Sequence, residues 1–139
     1  MLTKPEHGWS CIKIGNWNER CSYLDDVPYL LLDAMESACR TWTPHCVKLD
    51  AEGWEYIIVF DMYETHIISD NCDKGFVYTS VECDLKKLSL EMIEDIRNNI
   101  NSWAAWVPNQ SDDEVNERKK DLSAFCDVFE RRIKRGGTQ

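Results

Sequence analysis

The stretch WEYIIVFD, Trp54 to Asp61, decides the reading of this chain. Trp54, Tyr56, Ile58 and Phe60 alternate onto one face of an extended segment, and Ile57 and Val59 fall on the other. Both faces are apolar, which predicts a central strand covered on both sides. Ala51-Glu52-Gly53 before it reads as a turn, with glycine available for positive φ. Ahead of that turn HCVKLD reads as a strand. After Asp61, MYE makes a short turn, THIIS a third strand, DNCDKG a further turn and FVYTSVEC a fourth strand. Connections this short favour an antiparallel meander.

Outward from the meander the pattern turns helical. Val27, Leu31, Ala34, Met35 and Ala38 recur at three- and four-residue spacing, which predicts a helix over about 26–40. Asp25-Asp26 offers its N-cap, Pro28 suits its first turn, and Pro44 excludes its continuation. Upstream, WSCIKIG (9–15) predicts a short strand and NWNER a turn or loop. Downstream, Ile93, Ile96, Ile100, Trp103 and Val107 form one stripe on a helix ended by Pro108. Ser111 and Glu114 then frame a capping box for a last helix. Leu122, Phe125 or Cys126, Phe129 and Ile133 are its buried side, and Gly136-Gly137 its stop. The expected architecture is α+β: a meander of about four to five strands, one N-terminal helix and two C-terminal helices packed on the sheet. A chain of 139 residues fits one domain, with strand, helix and meander over 8–87 and a helical pair over 88–135.

Charge and cysteine content narrow the function. The net charge is −9, and all of it lies in residues 1–111; residues 112–139 carry seven charges of each sign. An acidic body repels nucleic acid and acidic lipid and attracts basic protein. Arg131, Arg132, Lys134 and Arg135 offset a helix C-terminus. Seven cysteines, an odd number with no C-x-x-C, read as reduced core thiols of a cytosolic protein; neither a leader peptide nor a membrane span is apparent.

No chemical motif stands out. Asp50 with Glu52, and Asp61 with Glu64, bracket the two turns flanking the central strand. The strand rise separates Asp50 from Asp61 by roughly 20–25 Å, too far for one acid–base pair. His66 with a cysteine or carboxylate, in a cleft between the sheet and the C-terminal helices, is the enzymatic alternative. Neither a phosphate loop, nor a metal-binding helix motif, nor a calcium loop occurs, so no cofactor or metal is expected. Of six tryptophans, Trp103 and Trp54 suit the core, while Trp17 and Trp106 are expected to be exposed. Exposed aromatics beside carboxylates make anchors for protein partners.

With DDVPYLLLDAM before the meander and LDAEGWEYIIVFDMYETHIISD through it, the small acidic chain resembles immunity proteins of bacterial contact-dependent inhibition and polymorphic toxin systems. Such proteins share a role more than a fold. The resemblance implies a non-enzymatic inhibitor that occludes the active site of a cognate toxin domain, often a cationic nuclease. It brings no catalytic residues with it. The expected contact residues are Trp17, Asp50, Glu52, Trp54, Glu55, Asp61, Glu64, Asp70 and Asp73. A self-associating adaptor is a third reading, from the apolar character of both sheet faces.

Overall fold

A computed structural model describes residues 1–71, 73 and 75–136. Cys72, Lys74 and the expected stop at Gly137 lie outside the described residues. Among those described, six antiparallel strands form two sheets, with four helices. In chain order they are β1 (Trp9–Ile14), β2 (Trp17–Ser22), α1 (Val27–Thr41), β3 (His45–Asp50), β4 (Glu55–Phe60), β5 (Glu64–Asn71), β6 (Gly75–Glu82), α2 (Leu85–Asn98), α3 (Ile100–Ala104) and α4 (Asp112–Gly136).

The predicted meander is present as β3-β4-β5-β6. Its inner face carries Val47, Leu49, Tyr56, Ile58, Phe60 and Ile67, all buried. The strand predicted at the N-terminus is not part of this sheet. It pairs with β2, which occupies most of the segment expected to be a loop. Gly15-Asn16 is the whole connection, with Gly15 at φ +56°. A glycine at the first central position of a two-residue turn is what a twisted hairpin needs. The hairpin closes on the inner face: Trp17 packs edge-on to Tyr56 at 5.6 Å, and the Tyr56 hydroxyl donates to the Arg20 carbonyl at 2.9 Å.

α1 packs on β3 and β4 and is flanked by α2 and α4. Its Val27, Leu31, Ala34, Met35 and Ala38 are buried, as the spacing predicts, and Leu32 is buried with them. Asp26 makes no side-chain cap; both terminal nitrogens of Arg118 on α4 donate to its carboxylate instead. Asp25 ties the same corner together. Its carboxylate accepts the Asp50 N–H at 2.7 Å, and its carbonyl accepts the Trp106 indole N–H at 2.8 Å.

The helix expected to run to Pro108 breaks at Asn99, leaving α2 and the short α3. The stripe survives the break because Ile96, Ile100 and Trp103 keep their spacing. Beyond Ala104 the chain leaves the helix, so Trp106 is buried against Trp103 (ring centres 5.0 Å apart) rather than exposed. The capping box forms, with Ser111 Oγ accepting the Glu114 N–H and Glu114 accepting the Ser111 N–H. Leu122, Cys126, Phe129 and Ile133 are the buried side of α4, and Phe125 is half-buried. No described helix is long and apolar enough to cross a membrane.

Candidate functional site

Strand alternation sends a second set of side chains to the outer face of the four-stranded sheet. They are Cys46, Lys48 and Asp50 on β3, Glu55, Ile57 and Val59 on β4, Glu64, His66, Ile68 and Asp70 on β5, and Phe76, Tyr78, Ser80 and Glu82 on β6. The helices and the hairpin gather on the other face. β4 is therefore an interior strand but is covered on one side only: Ile57 and Val59 stay half-buried. Phe76 is 78% exposed and Tyr78 61%.

Register arranges the predicted carboxylates in two groups. Asp50, Glu55 and Asp70 are direct cross-strand partners and form one row. Like charges side by side in a sheet repel. Lys48 relieves part of this, with Nζ 2.9 Å from Glu55 Oε2, and that bond raises the lysine's own pKa. At the other end Glu64 stands opposite Glu82, about 20 Å from Asp70 by the rise of six residues. Glu64 accepts the Ser80 hydroxyl. An apolar band of Ile57, Val59, Ile68 and Tyr78 lies between the two acidic ends, and Phe76 stands beside Asp70 at one of them.

The remaining predicted contacts are placed differently. Asp61 and Glu52 belong to turns: Asp61 accepts the Met62 N–H, and Glu52 has φ +55° with its N–H bound by Asp50. Asp73 is exposed in the β5–β6 turn. Trp54 points to the hairpin side, where Arg20 lies between its ring (4.5 Å) and that of Trp9 (4.9 Å). Trp17 is half-buried and lines a groove with Gly15, Asn16 and residues 79–82 of β6. The aromatics at the middle and end of the open face, Tyr78 and Phe76, were not among the predicted contacts. Their alternation in FVYTSVEC is visible in the sequence, but that β6 is an edge strand is a tertiary fact.

His66 also faces outward, away from the helices, so it does not line a cleft between them and the sheet. Its Nδ1 is 2.5 Å from the Tyr78 hydroxyl, and its Nε2 is 3.8 Å from Glu64. Burial pushes the thiols of Cys21 to about 12 and Cys126 to about 11, and raises those of Cys39 and Cys83, which suits packing rather than nucleophilic attack. Cys46 is exposed on the outer face, two strands from His66. Among the described residues no three His, Cys, Asp or Glu side chains converge as metal ligands would. No protein family matches the chain, and neither a curated protein nor a solved structure gives a match.

Proposed function

We propose that the protein is a non-enzymatic inhibitor that binds a basic domain of another protein through the outer face of its β3–β6 sheet. In this role it would act as an immunity protein, occluding the active site of a cognate toxin domain such as a cationic nuclease. The supporting observation is an outward-facing apolar band, half-buried at Ile57, Val59 and Ile68 and exposed at Tyr78, with carboxylates at both ends. Protein interfaces have an apolar, aromatic centre and a polar rim. A net charge of −9 steers a cationic partner toward the acidic ends and speeds encounter, which an inhibitor of a toxin needs.

The test is co-expression with a toxin domain encoded beside this gene, scored by growth rescue and a stoichiometric complex on gel filtration. Glu64→Lys with Asp70→Lys is expected to weaken that complex at least tenfold. An unchanged complex in a folded double variant would refute the face. The Glu64–His66–Tyr78 row favours a second reading, a small enzyme. Against it, enzyme sites are normally concave, and this row stands on an open sheet. A saturable activity lost in His66→Ala would support it.

A further inference from the structure

We propose that β6 is the acceptor for an added strand: an extended basic segment of the partner pairs with it and continues the sheet. This rests on reading the outer face as partner-binding and specifies how the partner is held.

The hydrogen-bond parity of the sheet carries the argument. The Cys83 N–H donates to the Tyr63 carbonyl at 3.1 Å, and the Asp61 N–H to the Glu64 carbonyl at 3.1 Å. With the observed registers, the odd residues of β6 bond to the odd residues of β5. The even residues of β5 bond to β4. Phe76, Tyr78, Ser80 and Glu82 therefore turn their N–H and C=O groups outward, along a strand of eight residues. Natural edge strands are normally short, charged, kinked or covered. The opposite edge, β3, follows that rule. It has six residues, bears Lys48, and its Asp50 N–H is held by Asp25. β6 contains neither proline nor lysine, and Phe76, Val77 and Tyr78 are all exposed.

Charge selects the occupant. Pairing β6 antiparallel with a second copy through these outward groups sets Glu82 opposite Phe76. That brings the Glu64/Glu82 end of each copy against the Asp70 end of the other, acid on acid at both ends. A strand with Lys or Arg at its ends and β-branched or aromatic residues between meets opposite charge at both ends and apolar surface in the middle. Its inward side chains would enter the groove, of about 550 Å³, between Trp17 and residues 79–82.

The probe is a ten-residue peptide with two lysines at each end and an alternating Val/Thr core, compared with the same peptide N-methylated at alternate amides. Amide exchange is read in the full chain. The outward amides of Phe76, Tyr78, Ser80 and Glu82 should slow at least tenfold at saturation, while those of Val77, Thr79 and Val81 stay as they are. The N-methylated peptide should give no protection. Ser80→Pro removes an outward N–H without breaking the β5 ladder, and should weaken the peptide at least tenfold, with Ser80→Ala as the control for the lost hydroxyl. Equal binding of the N-methylated peptide, absence of β6 protection, or self-association through β6 at micromolar concentration would each overturn the proposal. The two readings separate on a basic partner domain. A complex that survives Ser80→Pro but fails in Glu64→Lys/Asp70→Lys keeps the face and removes the added strand; a complex indifferent to the charge reversals removes the face.

Discussion

Arg20 is where a folding role and a binding role for Trp54 can be told apart. Its guanidinium lies over Trp9 at 4.9 Å and over Trp54 at 4.5 Å, and its Nε donates to the Ala51 carbonyl at 3.1 Å. These contacts fasten the β1–β2 hairpin to the end of the main sheet. Each cation–π contact at an exposed site contributes about 0.5–1 kcal/mol, and the hydrogen bond adds about 0.5–1.5 kcal/mol. Arg20→Ala should therefore cost about 2 kcal/mol. Arg20→Lys keeps the charge but loses the planar stack and the fork, and should recover less than half of that.

Urea unfolding followed by tryptophan fluorescence is the assay, since the rings on both sides of Arg20 report its loss. With a slope of about 2 kcal/mol per molar for a domain of this size, the midpoint falls by about 1 M. The melting temperature falls by roughly 6–8 °C. A loss below about 0.5 kcal/mol would mean the stack is a surface arrangement of no energetic weight, as many exposed ion contacts are. A Trp54→Ala variant of unchanged stability that no longer binds a partner would refute the assignment of Trp54 to the hairpin clamp.

Three further outcomes are expected. Iodoacetamide at about pH 8 should modify exposed Cys46 first among the cysteines of the described residues; with a pKa of about 12, Cys21 is thiolate in about one molecule in ten thousand there, and intact mass with peptide mapping reads the order. Gly15→Ala should destabilise by about 1–2 kcal/mol in the same urea assay, because the residue sits at φ +56° and a Cβ would come 2.8 Å from Val81 Cγ1. Hydrogen bonds from Lys134 and Arg97 hold the Glu130 carboxyl below its ordinary range, so its stabilising contribution is present above the unfolded value of about 4.3 and is lost as pH falls through the lower folded value. The stability gap between wild type and Glu130→Gln should thus close on acidification; a gap that widens would reverse the assignment.

What the sequence disclosed follows from which forces act locally. The meander was legible because Gly53 and the DNCDKG segment punctuate alternating apolar runs. β2 was not, because WNERCS has polar residues at most positions; only Cys21 and Ser22 are buried, with Trp17 and Glu19 half-buried. Its one local signal, Gly15-Asn16 between Ile14 and Trp17, marks a two-residue hairpin turn. Periodicity ran through the break at Asn99 because a stripe records spacing, not backbone continuity. That is also why Trp106 was misplaced: its burial depends on the Asp25 carbonyl, 81 positions away in the chain. The carboxylates of the candidate face were visible, but their grouping into Asp50–Glu55–Asp70 and Glu64–Glu82 is set by register, which no single strand contains.

The two edges of the main sheet are guarded differently. A chain that can guard β3 with a lysine and a side-chain cap has the means to guard β6. Yet β6 carries Phe76 at 78% exposure beside outward-facing backbone groups. An unpaired edge of that length invites non-specific pairing, and the flanking carboxylates limit it by repelling other copies of this chain. The same carboxylates attract a basic strand. Charge reversal at Glu64 and Glu82 should therefore do two opposite things at once: lower affinity for a basic partner and raise self-association, read together by sedimentation velocity with and without the lysine-ended peptide. If both affinities fell, the acidic ends would be acting on the fold rather than on the choice of partner.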